Sequence, residues 1–181
     1  MNLANKITTF RVILIPFFLI VILGDFFDVQ NRNYMAAAIF LVAAITDWLD
    51  GYIARSRNLV TNFGKFVDPL ADKLLVLAAL VAMVELDLLP SYVVIIIIGR
   101  EFIVTGFRLI AVEKNIVIAA GFLGKLKTAV QMVMILFVLL GFKSTEAVVV
   151  EDILIFSSVV LSIYSAVEYI VKNKQVLSGS M

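Results

Sequence analysis

The sequence predicts an all-α, polytopic membrane protein with six transmembrane helices. Three observations carry that reading. Hydrophobic residues make up 62% of the 181 residues and charged residues only 16%. Mean hydropathy is +1.07, far outside the usage of soluble globular chains. Apolar stretches of roughly 17 to 25 residues, the length that crosses a hydrocarbon core as helix, recur along the whole chain. A single membrane-embedded domain over residues 1–181 follows as the expected organisation.

The spans fall at about Ile7 to Leu23, Tyr34 to Ala54, Pro69 to Leu86, Ser91 to Val112, Gly124 to Phe142 and Ala147 to Val171. The first has the look of a secretory leader, but Gly24-Asp25-Phe26-Phe27 lacks the small-residue cleavage pattern of one, so it is expected to be a retained span. With six spans both termini share a side, and basic residues mark which. Lys6, Arg11, Arg55, Arg57, Lys65, Lys73, Arg108, Lys114, Lys125, Lys127, Lys172 and Lys174 fall on one side. Only Arg32 and Lys143 fall on the other, diluted by acids. The positive-inside rule therefore predicts cytoplasmic termini, with the connections after the second and fourth spans also cytoplasmic.

Charge and composition also exclude chemistries. Lys plus Arg number 15 and Asp plus Glu 14, without the basic excess of a nucleic-acid partner. The chain has no cysteine and no histidine, so there is no disulfide, no thiol or imidazole ligand for zinc, and no nucleophile activated by a His base. Any metal must be bound through oxygen.

The second span ends Thr46-Asp47-Trp48-Leu49-Asp50-Gly51-Tyr52-Ile53-Ala54-Arg55. At about 100° per residue, Asp47, Asp50, Gly51 and Ala54 share a helical face. After a polar connection, Gly64, Asp68 and Asp72 recur at i, i+4 and i+8, presenting two more carboxylates on one stripe. Pro69 suits a helix beginning near Asp68; otherwise it kinks the helix. The short connection makes the two helices antiparallel neighbours and brings four aspartates to one cytoplasmic pocket. Each carboxylate in a membrane costs on the order of 2.5 to 3.5 kcal/mol on insertion scales. Two divalent cations would balance the four negative charges, and a two-metal site is the arrangement that clamps an in-line phosphoryl displacement. All-oxygen ligation points to Mg2+, with Mn2+ or Ca2+ as alternatives. Paired acids at a helix end also serve merely to solvate an interface, and Gly51 and Gly64 also serve as packing glycines.

Read together, Asp47-x2-Asp50-Gly51-x2-Ala54-Arg55-x8-Gly64-x3-Asp68-x3-Asp72 resembles the signature of the CDP-alcohol phosphotransferase family at every position. The resemblance implies a six-helix bundle, usually a homodimer, that displaces CMP from a CDP-linked donor by attack of an alcohol. It also implies that Asp47, Asp50, Asp68 and Asp72 hold the metal, that Asp72 takes the proton of the attacking hydroxyl, and that Gly51, Ala54, Arg55 and Gly64 line the cytidine nucleotide. The chain's opening, from Met1 through Arg11 to Pro16, is similar to that of the bacterial phosphatidylglycerophosphate synthase branch, except that Ala4 stands where those chains usually carry proline. Asn5, Thr8 and Arg11 recur every three residues and, if helical, offer contacts to the donor; Arg11 as a snorkelling interface anchor is the alternative.

Gly99-Arg100-Glu101, Arg108 and Gly124-Lys125-Leu126-Lys127-Thr128 are also similar to that branch. Arg100 lies deep enough to need a partner, with Glu101 and the aspartates as candidates. Arg100, Arg108 and Lys125 are the expected contacts for an acceptor phosphate, which must be paired when desolvated; topology alone also accounts for Arg108 and Lys125. The resemblance thus implies CDP-diacylglycerol as donor, sn-glycerol 3-phosphate as acceptor and the bacterial cell membrane as location. Inositol phosphate, serine and phosphatidylglycerol are alternative acceptors. A divalent-cation transporter is the alternative from another class, but it leaves Gly51, Ala54, Arg55 and Gly64 without a role.

Overall fold

Six long helices account for nearly all of the described chain in the computed structural model, which describes residues 3–57, 62–114, 116, 118 and 121–176; the side chains of 3–11 and 47–72 lie outside that description. The helices are α1 (Leu3–Leu23), α2 (Val29–Arg57), α3 (Asn62–Glu85), α4 (Ser91–Glu113), α5 (Phe122–Leu140) and α6 (Thr145–Lys172), followed by a short 3-10 turn at Lys174–Val176. Among the described residues there is no strand. Each predicted span lies on one helix. Of the six, α5 and α6 are by themselves long and apolar enough to cross a bilayer.

The ends differ from the predicted spans for local reasons. Helix α2 begins at Val29, before the apolar run, because Asp28 caps it: the Asp28 carboxylate accepts from the Asn31 amide at 3.3 Å and from Asn31 Nδ2 at 2.5 Å. Helix α3 begins at Asn62 rather than at Asp68, so Pro69 lies inside a continuing helix and not in its first turn. Asp87, with φ of 56°, turns the chain between α3 and α4 in a left-handed conformation that Asp tolerates. Gly141, with φ of 58°, does the same just past α5. Ser144 then caps α6, its hydroxyl accepting from the Ala147 amide at 3.2 Å.

The chain divides into two compact units, and the division runs through the middle of α5, so they are not consecutive domains. In the first unit (residues 1–88 and 135–142) α1 packs on α2 and α3. Ile15, Phe18, Val21 and Ile22 of α1 are buried, as are Ala36, Ala37, Phe40 and Ala43 of α2. The alanines let the two backbones approach, and Phe18 and Phe40 meet with ring centroids 6.4 Å apart. Among the described side chains of α3, Leu75, Ala79, Leu80, Ala82 and Met83 are buried.

In the second unit (residues 89–134 and 143–181) α4 packs on α6. Helix α4 buries Val93, Val94, Ile97, Val104, Phe107 and Ala111. Helix α6 is built the other way round. Its buried residues are Ser158, Ser162, Ser165 and Tyr169, whereas Ile153, Phe156, Ile163, Val167 and Val171 are exposed. Water would not stabilise that pattern, because it leaves apolar area wet and hides hydroxyls. A hydrocarbon solvent does stabilise it: small polar residues form the interface between helices and the large apolar ones face the lipid.

Candidate active site

The acids predicted to carry the chemistry lie on the two helices expected to bring them together. Asp47, Asp50, Gly51, Ala54 and Arg55 fall in the last three turns of α2, and Gly64, Asp68 and Asp72 in the first three turns of α3. Residues 58–61 join these helices, which touch within the first unit. Both motif segments are continuous helix, so the spacings i, i+3, i+4, i+7 on α2 and i, i+4, i+8 on α3 are helical spacings in fact as well as in prospect. The side chains of these eight residues lie outside the described part of the structure, as do those of Asn5, Thr8 and Arg11. The backbone places the last three in the first three turns of α1, so their three-residue spacing is that of one helix.

A cavity of ≈ 650 Å³ begins two residues beyond Asp72. It runs between α1 and α3, lined by Ile15 and Leu19 on one side and by Leu74, Leu77, Ala78 and Val81 on the other. Asp25, Arg32 and Glu85 line it near the far ends of these helices. From Leu74 to Glu85 the groove extends about 17 Å along α3. Most of its wall is apolar, so it suits a hydrocarbon chain better than a nucleotide.

The cations predicted for an acceptor phosphate belong to the second unit, and there the side chains are described. Arg100 is nearly buried, its side chain 11% exposed, and of the two candidate partners named from sequence, Glu101 and the aspartates, Glu101 is the one seen: Arg100 Nη1 donates to Glu101 Oε1 at 2.9 Å. The same oxygen accepts from Lys127 Nζ of α5. One carboxylate therefore holds two cations from two helices. The Arg100 Nε donates to Ser165 Oγ of α6 at 3.2 Å. Two turns along α4, Arg108 is exposed, and its Nε donates to the Tyr169 hydroxyl at 3.1 Å while its Cζ lies 5.4 Å from the centre of the Tyr169 ring. Phe107 meets that ring edge to face at 5.8 Å. Below it, Lys114 Nζ donates to the carbonyl of Val176 and ties the C-terminal turn to α4.

The lysines on α5 separate by face. Lys125 is exposed, whereas the Lys127 side chain is 3% exposed and paired with Glu101. Two residues on a helix are about 200° apart, so only one of them turns inward. The resemblance of its segment to the family singled out Lys125 for the acceptor and left Lys127 as a flanking cation; in the structure it is Lys127 that shares the Glu101 carboxylate with Arg100. Ser165 and Tyr169 carried no signal in the sequence, since a serine and a tyrosine in an apolar span have no distinguishing pattern. Gln131, one turn beyond Lys127, is also buried, and its Nε2 has no partner among the described residues.

What this arrangement offers chemically is, in the first unit, a pair of helices with four acids at helical spacing and a long apolar groove that begins at Leu74 of α3, and, in the second unit, a seam of oriented cations. A helix such as α6, with its serines turned inward and its large apolar side chains outward, belongs in a membrane, and a membrane protein carrying these elements is suited to joining a lipid to an anionic polar group. The comparisons agree. The family model for CDP-alcohol phosphatidyltransferase matches residues 1–164, and the chain belongs to that family, whose members are membrane enzymes that use divalent metal. A protein of Bacillus subtilis (strain 168) named CDP-diacylglycerol–glycerol-3-phosphate 3-phosphatidyltransferase is 46% identical over 99% of this chain and 98% of its own length. One of the same name from Haemophilus influenzae is 37% identical over 99% and 95%. A protein of Mycobacterium tuberculosis named probable phosphatidylglycerophosphate synthase is 39% identical over 98% and 84%.

Proposed function

We propose that this enzyme transfers the phosphatidyl group of CDP-diacylglycerol to sn-glycerol 3-phosphate, giving phosphatidylglycerophosphate and CMP. The observation that carries the reading is the eight-position signature lying on the touching helices α2 and α3. The full-length similarity to relatives named for that donor and acceptor supports it.

In the reaction, the primary hydroxyl oxygen of glycerol 3-phosphate attacks the phosphorus that bears the diacylglycerol. A new P–O bond forms there, the P–O bond to the CMP phosphate breaks, and CMP leaves with the electron pair. Asp72 accepts the hydroxyl proton. Asp47, Asp50, Asp68 and Asp72 would hold divalent metal, two Mg2+ or Mn2+ ions; the donor set fits, being four hard oxygen ligands with no competing soft one. When bound, the metal neutralises charge on the diphosphate and lowers the cost of the leaving group. Asn5, Thr8, Arg11, Gly51, Ala54, Arg55 and Gly64 contact the cytidine diphosphate portion, the glycines admitting it close to backbone. The groove between α1 and α3 takes an acyl chain of the donor. Arg100, Arg108 and Lys125 pair with the acceptor phosphate, and Lys127, held on Glu101, adds positive charge next to Arg100. Rate enhancement then comes from holding two substrates together and from fixed charges, without a covalent enzyme intermediate.

All six helices span the bacterial cell membrane in this account, with both termini and the acids on the cytoplasmic side, where the basic residues concentrate. The protein works as a homodimer. The test is CMP release by detergent-purified protein with magnesium and CDP-diacylglycerol, comparing glycerol 3-phosphate with inositol phosphate, serine and phosphatidylglycerol. Release that depends on glycerol 3-phosphate is expected. Release with another acceptor keeps the chemistry and changes the substrate. Folded protein that binds divalent metal and releases no CMP with any acceptor would instead favour ion transport.

A further inference from the structure

Two of the inward-facing residues of α6 do the same thing to two arginines of α4. Ser165 Oγ accepts from the Nε of Arg100 and the Tyr169 hydroxyl accepts from the Nε of Arg108. Both acceptors are themselves fixed. Ser165 is buried and donates its own proton to the carbonyl of Ser162 at 3.2 Å, which turns its lone pairs toward Arg100. Tyr169 is 8% exposed, its ring held by Phe107, and its carbonyl accepts from Asn173 Nδ2 at 2.7 Å.

A hydroxyl is an odd choice if the purpose is only to satisfy a buried cation, because it takes one hydrogen without cancelling charge. Arg100 already has a carboxylate for that in Glu101. Arg108 is exposed and has no need of a buried acceptor, since water would serve its donors; holding it instead costs side-chain entropy. What a bond at Nε does achieve is directional. It fixes the rotation of the guanidinium plane: in Arg108 it leaves the whole Nη edge, the fork that matches two oxygens of a phosphate, pointing one way, and in Arg100, whose Nη1 goes to Glu101, it leaves Nη2. Arg108 is the cleaner case, because no described residue takes its Nη hydrogens.

We propose that Ser165 and Tyr169 are positioning residues that aim the Nη2 of Arg100, whose Nη1 is held by Glu101, and the whole charged fork of Arg108 at the phosphate of the acceptor. The inference rests on the reading above that these arginines pair with that phosphate. It assigns α6, which carries none of the signature, the role of setting acceptor affinity.

Tyr169→Phe keeps the ring, its edge contact with Phe107 and its stacking with Arg108, and removes only the oxygen. In the full-length enzyme the KM for glycerol 3-phosphate should rise about tenfold, the scale of one hydrogen bond to a charged group. The KM for CDP-diacylglycerol and kcat should stay within about twofold. Ser165→Ala should shift the same constant in the same direction, and Ser165→Thr, which restores a hydroxyl, should bring it back. In an Arg108→Ala background, adding Tyr169→Phe should cause no further rise. If Arg108→Ala raises the KM for glycerol 3-phosphate but Tyr169→Phe and Ser165→Ala do not, the positioning role is overturned and the phosphate reading stands. If Arg108→Ala and Arg100→Ala both leave that KM unchanged, the phosphate reading itself fails. A fall in kcat with an unchanged KM would show that the hydroxyls serve the fold alone, and would also overturn the proposal.

Discussion

The interiors of the two units differ in kind. The first buries Phe18, Ile22, Phe40, Leu80 and Met83, with alanines between them and Asn33 as a buried polar residue, whereas the second buries Lys127, Gln131, Ser158, Ser162 and Ser165 alongside Val93, Ile97, Val104 and Phe107. In lipid this contrast is not one of stability against instability, because the apolar residues of either unit lose little by facing hydrocarbon. The apolar unit is a frame: its packing holds α1, α2 and α3 in register, so that the ends of α2 and α3 present acids at fixed spacing. In the second unit the bonds among Arg100, Glu101, Lys127 and Ser165 tie α4 to α5 and α6. In the function proposed above, the acids at the ends of α2 and α3 would carry the chemistry and the cations of the second unit would recognise the acceptor.

Substitutions should separate the two. The largest effect is expected at the acids: Asp47→Asn or Asp68→Asn should abolish activity and its metal dependence together, read as CMP release across a magnesium titration. Asp72→Asn should lower kcat by about 10² to 10⁴, the usual worth of a positioned proton acceptor; near-intact turnover would remove Asp72 from that role. A smaller change is expected in the groove. Ala78→Trp fills the space between α1 and α3, and the KM for long-chain CDP-diacylglycerol should rise more than that for a short-chain donor. An equal effect on both donors would mean that the groove takes no acyl chain.

The smallest effect concerns the fold alone. The Asn31 amide and then its side chain hold the Asp28 carboxyl below its ordinary value. The contribution of that cap is therefore complete above the ordinary carboxylate pKa and is lost as pH falls through the lower folded value. Asp28→Ala should lower the thermal midpoint slightly at neutral pH, and the difference from the parent should vanish in strong acid. A difference that persists there would mean that charge on Asp28 is irrelevant to the cap.

The sequence revealed what depends on local spacing. Each of the six helices could be read from apolar length, and the cost of an isolated charge said that Arg100 needs a partner, with Glu101 and the aspartates as the candidates. The early starts of α2 and α3 could not be read this way. Gln30, Asn31 and Arg32 look like loop in a search for apolar runs, and Pro69 looks like a first-turn residue until Asn62 is seen to begin the helix. Long-range partners were equally hidden. Arg100 and Ser165, or Arg108 and Tyr169, are more than sixty residues apart, and the pairing depends on which face of α4 meets which face of α6. Helix α5 is apolar nearly all round, so nothing in its sequence says that Lys127 rather than Lys125 turns inward. The roles of the eight signature residues were legible only through the family pattern, because spacing shows that carboxylates can converge and not what they then bind.

The most direct test of a separate acid centre and cation seam is a pair of titrations on Arg100→Ala, one in glycerol 3-phosphate and one in magnesium. The account predicts a KM for glycerol 3-phosphate raised at least tenfold, with half-saturation by magnesium and the KM for CDP-diacylglycerol unchanged. An unchanged acceptor KM with a weakened response to magnesium would contradict it, because Arg100 would then belong to the chemistry of the acids and not to recognition of the acceptor.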